Sequence, residues 1–225
     1  MSRMFKSIDK TWNVFVGCRF DCTYCNARKT ALTRLKHLDR YKDGFKPHLV
    51  ESELKKTFKP GEFIFVGYMG DISFAPRTDM ELILFYIKKF PETDFLLCTK
   101  DPGFFVRDGP QFTPNIVLGT TIETNRYYRL SKAPAPWTRF LRMESILHPR
   151  KMVSIEPIMD FDYDVLARWM SVVSPDIIEV GADNYHNNLP EPPWKKVEKL
   201  LTNLRAICPQ VIEKAGLERL KESRI

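Results

Sequence analysis

The sequence predicts an α/β protein that folds as an open, partial (β/α)6 barrel of the TIM type. Six apolar runs alternate with six helical stretches along the 225 residues. Each run is four to six residues long and mostly apolar at consecutive positions, which is typical of a parallel strand buried on both faces. A complete eight-unit barrel usually needs ~250 residues, so six units favour an incomplete one. A flat doubly wound sheet is the alternative.

The predicted elements follow one another in a regular order. The strands are expected at residues 12–16, 63–68, 95–98, 116–121, 152–155 and 177–180. The helices are expected at residues 27–41, 49–58, 79–90, 137–147, 163–173 and 192–207. The last helix has the clearest apolar stripe, at spacings of three and four: Trp194, Val197, Leu200, Leu201, Leu204 and Ile207. Pro192 and Pro193 suit its first turn, and Pro209 ends it.

Composition and charge indicate one folded domain. The 44% hydrophobic fraction excludes disorder as the main state, and no repeat, low-complexity segment or linker divides the chain. We expect a single domain over residues 1–225, with a core at about 12–184 and a helical closing segment at about 190–225. No apolar run approaches the ~20 residues of a membrane span and the first residues lack a signal-peptide core, so we expect a cytoplasmic protein without a membrane partner.

The most specific feature of the sequence is a cluster of cysteines. Cys18, Cys22 and Cys25 form a C-x3-C-x2-C arrangement directly after the first predicted strand. Three thiolates this close can converge on one face of a loop and bind a soft metal centre. A closed zinc site needs four ligands, and His37 could be the fourth only if the helix after the cysteines folded back. The signature of the zinc deaminases is absent. Three buried thiols are the plain alternative, and a four-iron, four-sulfur (4Fe–4S) cluster with one open iron is the leading interpretation. Two further cysteines stand alone and are expected in the core: Cys98 and Cys208.

This cysteine motif, with Tyr24 before its last member, resembles the signature of the radical S-adenosylmethionine (SAM) superfamily. The resemblance covers residues 12 to about 184. It implies a 4Fe–4S cluster whose open iron is chelated by SAM, and a one-electron cleavage that gives methionine and a 5′-deoxyadenosyl radical. That radical abstracts hydrogen from a substrate. The resemblance also implies an electron donor such as flavodoxin or ferredoxin.

Within the superfamily, the sequence is most similar to a group of short proteins, often labelled phage-associated, of unknown function. The similarity rests on short segments near the predicted strand ends. They are Trp12-Asn13, Ala27-Arg28, Val66-Gly67-x-Met69-Gly70-Asp71, Thr99-Lys100, Leu118-Gly119-Thr120-Thr121, Ser154-x-Glu156-Pro157 and Leu189-Pro190-Glu191-Pro192-Pro193. At strand six this chain has Val180-Gly181-Ala182-Asp183, where many relatives carry Gly-Gly or Gly-Ala followed by Glu.

Polar residues at successive strand ends are expected to converge on one mouth of the barrel. By resemblance, the SAM site comprises Tyr24, Gly67, Met69, Gly70, Asp71, Thr121, Glu123 and Asp183. Glycines let a backbone approach a ligand closely, and a carboxylate at Asp71 suits the SAM ammonium. Lys100 and Glu156 are the candidate catalytic residues. The plain alternative is that some of these groups cap helices or pair with each other, for example Lys100 with Glu156.

The sequence gives less information about the substrate than about the cofactors. The net charge of +7 is compatible with a polyanion, and we expect a nucleic acid or nucleotide. Two groups of basic residues could steer phosphates to the opening of the barrel. The first group is Arg28, Lys29, Arg34 and Lys36, and the second is Arg126, Arg129, Lys132 and Arg139. Arg139 is expected to lie away from the cofactor. A nucleic-acid-binding module with a structural metal and a non-catalytic iron–sulfur protein are the competing functions.

Overall fold

The computed structural model describes residues 5–107 and 111–222. Their strands are β1 Lys10–Trp12, β2 Phe15–Val16, β3 His48–Leu49, β4 Phe63–Val66, β5 Asp94–Thr99, β6 Ile116–Thr121, β7 Lys151–Ile155, β8 Ile177–Val180 and β9 Gln210–Glu213. Seven of these described strands form one parallel sheet in the order β1-β4-β5-β6-β7-β8-β9. The sheet curls into an open partial barrel. β2 and β3 form a separate antiparallel pair.

The helices are α1 Asn26–Leu32, α2 Arg77–Ile87, α3 Pro136–Glu144, α4 Tyr163–Val173, α5 Trp194–Ile207 and α6 Arg219–Glu222. Short 3-10 helices occupy Asp39–Tyr41, Glu51–Lys55, Ile72–Phe74 and Pro102–Phe105. The apolar stripe of α5 is buried at Val197, Leu200, Leu201 and Leu204, so this helix packs as its periodicity predicts. None of the helices in the described ranges combines the length and the hydropathy that a membrane span requires.

The inner face of the barrel is filled partly by the chain's first described residues. Phe5 and Ile8 pack with inward-facing side chains from five successive strands: Phe65, Leu96, Val117, Met152 and Ile177. The Phe5 and Phe65 rings lie 5.2 Å apart between centroids. The backbone N–H groups of Lys6 and Ser7 donate to the fully buried Glu179 carboxylate of β8, at 3.0 and 2.9 Å. Residues 5–9 therefore bridge the two sides of the open barrel.

The predicted fold class is confirmed, with one more strand than the predicted six. The bounds of β6 and β8 match the prediction, and β4, β5 and β7 overlap theirs closely. The seventh strand, β9, lies in the closing segment that the sequence predicts as helical. Only Val211 and Ile212 are apolar in this four-residue edge strand, and both are half-exposed. A strand so short and so little buried does not give a continuous apolar run.

Three element predictions are wrong because tertiary packing overrides local pattern. The helix predicted at 49–58 is β3 followed by a 3-10 turn, since Leu49 pairs with Phe15. The helix predicted at 27–41 ends at Leu32. The segment after it turns back and Tyr41 is buried beside Met69. The strand predicted at 12–16 is divided at Asn13, whose side-chain oxygen accepts a hydrogen bond from Met69 N at 3.0 Å.

Candidate functional site

A cavity of about 650 Å³ opens at the carboxyl edge of the barrel, where ligand sites of this architecture lie. The carboxyl ends of β4 to β9 all contribute to its wall, as does the cysteine loop. The predicted site residues that line it are Cys18, Cys22, Tyr24, Cys25, Gly70, Asp71, Lys100, Thr121, Glu156 and Asp183. The structure thus brings most of the predicted site together. Gly67, Met69 and Glu123 are not part of the lining.

The three cysteines of the motif share one loop and one cavity. Cys22 is 6% exposed, and Cys18 and Cys25 are half-buried. Two sulfurs accept backbone hydrogen bonds: Cys18 Sγ from Phe20 N and Cys25 Sγ from Arg28 N, each at 3.3 Å. Burial raises the pKa of both thiols, with these hydrogen bonds opposing the rise. Such buried sulfurs need a metal centre to become stable thiolates.

Three cysteines on one loop are the ligand number of a cluster with one iron that has no protein ligand. In the two described ranges, no three His, Cys, Asp or Glu side chains are placed to hold one metal ion. A 4Fe–4S cluster does not require that closeness, because each cysteine binds a different iron. Backbone N–H groups directed at the sulfurs, as at Cys18 and Cys25, are among the contacts that tune such clusters. The donor set therefore fits a cluster with three protein ligands.

The cysteine loop is joined to the segment after β4 by close backbone contact. Gly17 N donates to Met69 O at 2.9 Å, and Asp71 N donates to Gly17 O at 3.1 Å. A Cβ on Gly70 would lie 2.7 Å from Gly17 O, and Gly67 has a φ of +74°. These glycines therefore form the turn and the close approach, while the Met69 side chain packs into a core beside Val16. Gly67 and Met69 therefore hold this segment from behind the cavity wall, and Gly70 lies in the wall itself.

Asp71 is buried, but its carboxylate can accept a further hydrogen bond. Its Oδ1 accepts from Ser73 N, Ser73 Oγ and Thr99 Oγ1 at 3.0, 2.8 and 2.5 Å. Its Oδ2 accepts only Lys100 N, at 3.0 Å, among the described donors. Burial raises the pKa of Asp71, and these hydrogen bonds lower it. A carboxylate oxygen accepts more than one hydrogen bond, so Oδ2 retains room for a donor on a ligand.

Glu123 is the centre of a buried network behind the cavity wall. Its Oε1 accepts from Tyr24 Oη at 2.6 Å and from Lys100 Nζ. Its Oε2 accepts from Arg139 Nη1 at 2.7 Å. Glu123 is 1% exposed and Arg139 is 4% exposed. The expectation that Arg139 belongs to an exposed basic surface is therefore wrong: α3 turns this side chain inward, where it forms an ion pair with Glu123.

The opposite end of the cavity holds a second ion pair, between Glu156 and Lys214. Lys214 follows β9, so the sequence did not identify it. Its Nζ lies 5.1 Å from the centroid of the Phe5 ring, on the barrel floor. A Cβ on Gly181 would lie 2.7 Å from Glu156 Oε1, so this glycine makes room for the carboxylate. The pair offered as an example of the plain alternative, Lys100 with Glu156, does not form: Lys100 pairs with Glu123, and Glu156 pairs with Lys214.

Asp183 shapes the loop after β8. Its carboxylate accepts from Asn187 N and Nδ2 at 2.6 and 2.5 Å, and from Tyr185 N at 3.3 Å. This loop brings Tyr185, which is 55% exposed, to the mouth of the cavity. Tyr68 lines the wall after β4, and burial raises the pKa of its hydroxyl, with Tyr185 and Glu156 raising it further. The two tyrosines therefore flank the Glu156 end of the cavity.

Several basic residues predicted to contact phosphates are already paired. Arg28 and Lys132 both bind Asp21. Arg126 binds Asp160 and Asp162. Of the eight basic residues in the two predicted groups, those that are exposed and form no ion pair within the described part of the chain are Lys29, Arg34, Lys36 and Arg129. Fewer basic side chains are therefore available to contact phosphates than the sequence predicts.

The partial barrel with a three-cysteine loop at its carboxyl edge has the fold of the radical SAM enzymes. Spore photoproduct lyase complexed with dinucleoside spore photoproduct is similar with a TM-score of 0.64 and 9% identity, over 94% of this chain and 78% of that one. A double mutant of spore photoproduct lyase with bound AdoMet gives 0.60 and 11%, over 90% and 64%. Streptococcus suis SuiB bound to precursor peptide SuiA gives 0.57 and 10%, over 95% and 50%. At these identities the likeness is one of fold.

The chain belongs to the family DUF5131, described as proteins of unknown function, which matches residues 4–201. The match includes the cysteine loop and the ends of β4 to β8. A comparison with curated proteins gives no match.

Proposed function

We propose that this protein is a radical SAM enzyme in which Cys18, Cys22 and Cys25 hold a 4Fe–4S cluster with one iron open to SAM. The observation that carries the proposal is that all three cysteines of one loop line the same cavity at the carboxyl edge of the barrel. A structural metal or a non-catalytic cluster does not require a cavity of this size beside the cysteines. When bound, SAM and the reduced cluster would supply a carbon radical for hydrogen abstraction.

Residues on the cysteine side of the cavity are proposed to hold SAM. Asp71 Oδ2 would accept the SAM ammonium, because it has one described donor and Asp71 lines the cavity. Thr121 lines the wall beside it, and Gly70 allows the backbone to approach a ligand. Tyr24 and Lys100 would complete this wall in the orientation fixed by Glu123. An electron donor such as flavodoxin or ferredoxin would reduce the cluster.

Residues on the opposite side are proposed to meet the substrate. Glu156 Oε2 is paired with Lys214, and no hydrogen bond to Oε1 is formed from the described residues. Adjacent acceptor and donor groups, with Tyr68 and Tyr185 beside them, suit a planar polar group. A cavity of about 650 Å³ falls within the range of small-molecule sites, so it can enclose SAM and a small part of a larger substrate.

Reductive SAM cleavage tests the activity directly. Anaerobically purified protein should contain iron and sulfide, and with reductant it should convert SAM slowly to 5′-deoxyadenosine and methionine without substrate. Chromatography of the nucleoside products measures this. Stoichiometric zinc in place of iron and sulfide would instead support a structural metal. A cluster that binds SAM but yields neither product would indicate a non-catalytic iron–sulfur protein.

We propose a nucleic acid or nucleotide as the substrate. The net charge of +7 supports this class, as do the exposed basic side chains of Arg34 and Lys36 after the cysteine loop. The fold similarity to a lyase complexed with a dinucleoside photoproduct points the same way. The enclosed cavity would admit one nucleotide unit, while the surface near the opening would contact the phosphates.

Binding to tRNA, single-stranded DNA and duplex DNA across a salt series tests this substrate class. We expect steep loss of affinity with salt, and a shallower slope by about one for each phosphate contact removed by R34E or K36E. Arg168→Glu is the matched control, because Arg168 is an exposed arginine on α4, whereas Arg34 and Lys36 follow the cysteine loop and α1. Binding that is insensitive to salt, or equal losses in R34E and R168E, would contradict the proposal.

A further inference from the structure

We propose that Arg139 is a positioning residue that fixes positive charge beside the cluster and thereby raises its reduction potential. The inference rests on the proposed function, since it concerns the cluster that Cys18, Cys22 and Cys25 would hold. It arises from a juxtaposition within the described residues: Glu123 and Arg139 lie buried behind the cavity wall, and Lys100 lies in that wall beside Tyr24. The sequence predicted no role for Arg139 at the cofactor.

The position of Arg139 is fixed by three acceptors. Its Nε donates to Pro134 O at 2.7 Å, and its Nη1 donates to Thr121 O at 2.9 Å and to Glu123 Oε2 at 2.7 Å. The side chain is 5% exposed. A guanidinium remains charged in proteins and cannot relieve burial by losing its proton. This buried site therefore carries a permanent positive charge.

Glu123 connects Arg139 to the side chains of the cavity wall by hydrogen bonds. With Arg139 on Oε2, its Oε1 receives both Tyr24 Oη and Lys100 Nζ. The Lys100 ammonium also donates to Tyr24 Oη at 3.1 Å and lies 5.2 Å from the centre of the Tyr24 ring. Tyr24 stands between Cys22 and Cys25 on the cysteine loop. The network is thus in contact with the loop that would hold the cluster.

The network holds two positive charges, on Lys100 and Arg139, and one negative charge, on Glu123. The Asp71 carboxylate nearby is held by hydroxyl and backbone donors, which substitution of Arg139 leaves in place. Each substitution therefore changes the charge beside the cysteine loop by one unit, whatever the total charge of the site. Adding an electron makes a cluster more negative, so positive charge nearby favours the reduced state. Removing Arg139 should therefore lower the potential, and removing the Glu123 charge should raise it.

Four variants test this by potentiometric titration of the reconstituted cluster, followed by electron paramagnetic resonance. R139M should lower the reduced-to-oxidised ratio at fixed potential about tenfold, equivalent to about 59 mV for one electron. E123Q should shift the ratio in the opposite direction by a similar factor. The double variant R139M/E123Q should return close to wild type. R139K retains the charge and should stay close to wild type even where it lowers thermal stability.

The outcomes are decisive because a purely structural role would not reverse sign between Arg139 and Glu123. Equal potentials in all variants with full iron and sulfide content would overturn the inference. If R139M does not retain its cluster, the isosteric E123Q decides alone: a raised potential supports the inference, and an unchanged or lowered one overturns it. A wild-type protein without a cluster would refute the proposed function itself, and that result is obtained before any variant is made.

Discussion

Replacing Cys22 with alanine is expected to abolish the visible absorption of the cluster and reduce bound iron and sulfide to background. Cys22 is the middle residue of the motif and is buried in the cavity wall. Two remaining thiolates leave two irons without a protein ligand, which an exposed 4Fe–4S cluster does not survive. Absorption spectra and iron and sulfide analysis of anaerobically reconstituted protein measure the loss.

Cys98→Ala and Cys208→Ala provide the controls for this experiment. Cys98 lines the same cavity but belongs to β5, and Cys208 follows α5. Both variants should retain full cluster content. Loss of the cluster in Cys98→Ala, or its retention in Cys22→Ala, would show that the ligand set is assigned wrongly.

Gly17→Ala is expected to destabilise the protein by about 3 kcal/mol and to prevent cluster binding. Gly17 has a φ of +85°, and an added Cβ would overlap the backbone oxygen of Lys46. The clash involves backbone on both sides, so it cannot be relieved by rotating a side chain. Relief would displace Cys18, the next residue, from the loop. Denaturant unfolding of the metal-free protein and iron content of the reconstituted protein measure the two effects.

Gly61→Ala separates the clash from the backbone conformation. Gly61 has a similar φ of +77°, but an added Cβ would meet nothing within 4 Å. An alanine there carries only the left-handed backbone penalty of about 1 kcal/mol, and cluster content should be unchanged. Similar losses of stability in both variants would mean that close packing against Lys46 is not what requires glycine at position 17.

The partial barrel was predictable from sequence because its central strands are buried on both faces. β6 and β8 are short runs that are buried at every residue, and their predicted bounds agree with the structure. β9 was not predictable from the same signal, because an edge strand that is half-exposed lacks a continuous apolar run. The segment at 49–58 was predicted incorrectly because pairing with β2, a long-range interaction, determines its conformation.

The candidate site was predictable where sequence spacing defines the chemistry. The three cysteines follow one another on a loop, so their common position follows from the motif. The roles of Glu123, Arg139 and Lys214 depend on which side chains meet across the fold. A helix position such as Arg139 is compatible with a solvent-facing or an inward-facing side chain when its neighbours are mixed. The prolines and charges around α3 gave no signal that this helix packs over a buried carboxylate.

The bridge made by residues 5–9 has a consequence for the order of events during synthesis. Lys6 and Ser7 leave the ribosome long before their partner Glu179, which lies 173 and 172 residues further along the chain. The cysteine loop also emerges well before Lys214, which closes the other end of the cavity. A nascent chain therefore exposes its thiols for most of this interval without the barrel that encloses them. A cluster held by these cysteines, as proposed, would be best inserted after β9 has joined the sheet, when the barrel encloses the sulfurs.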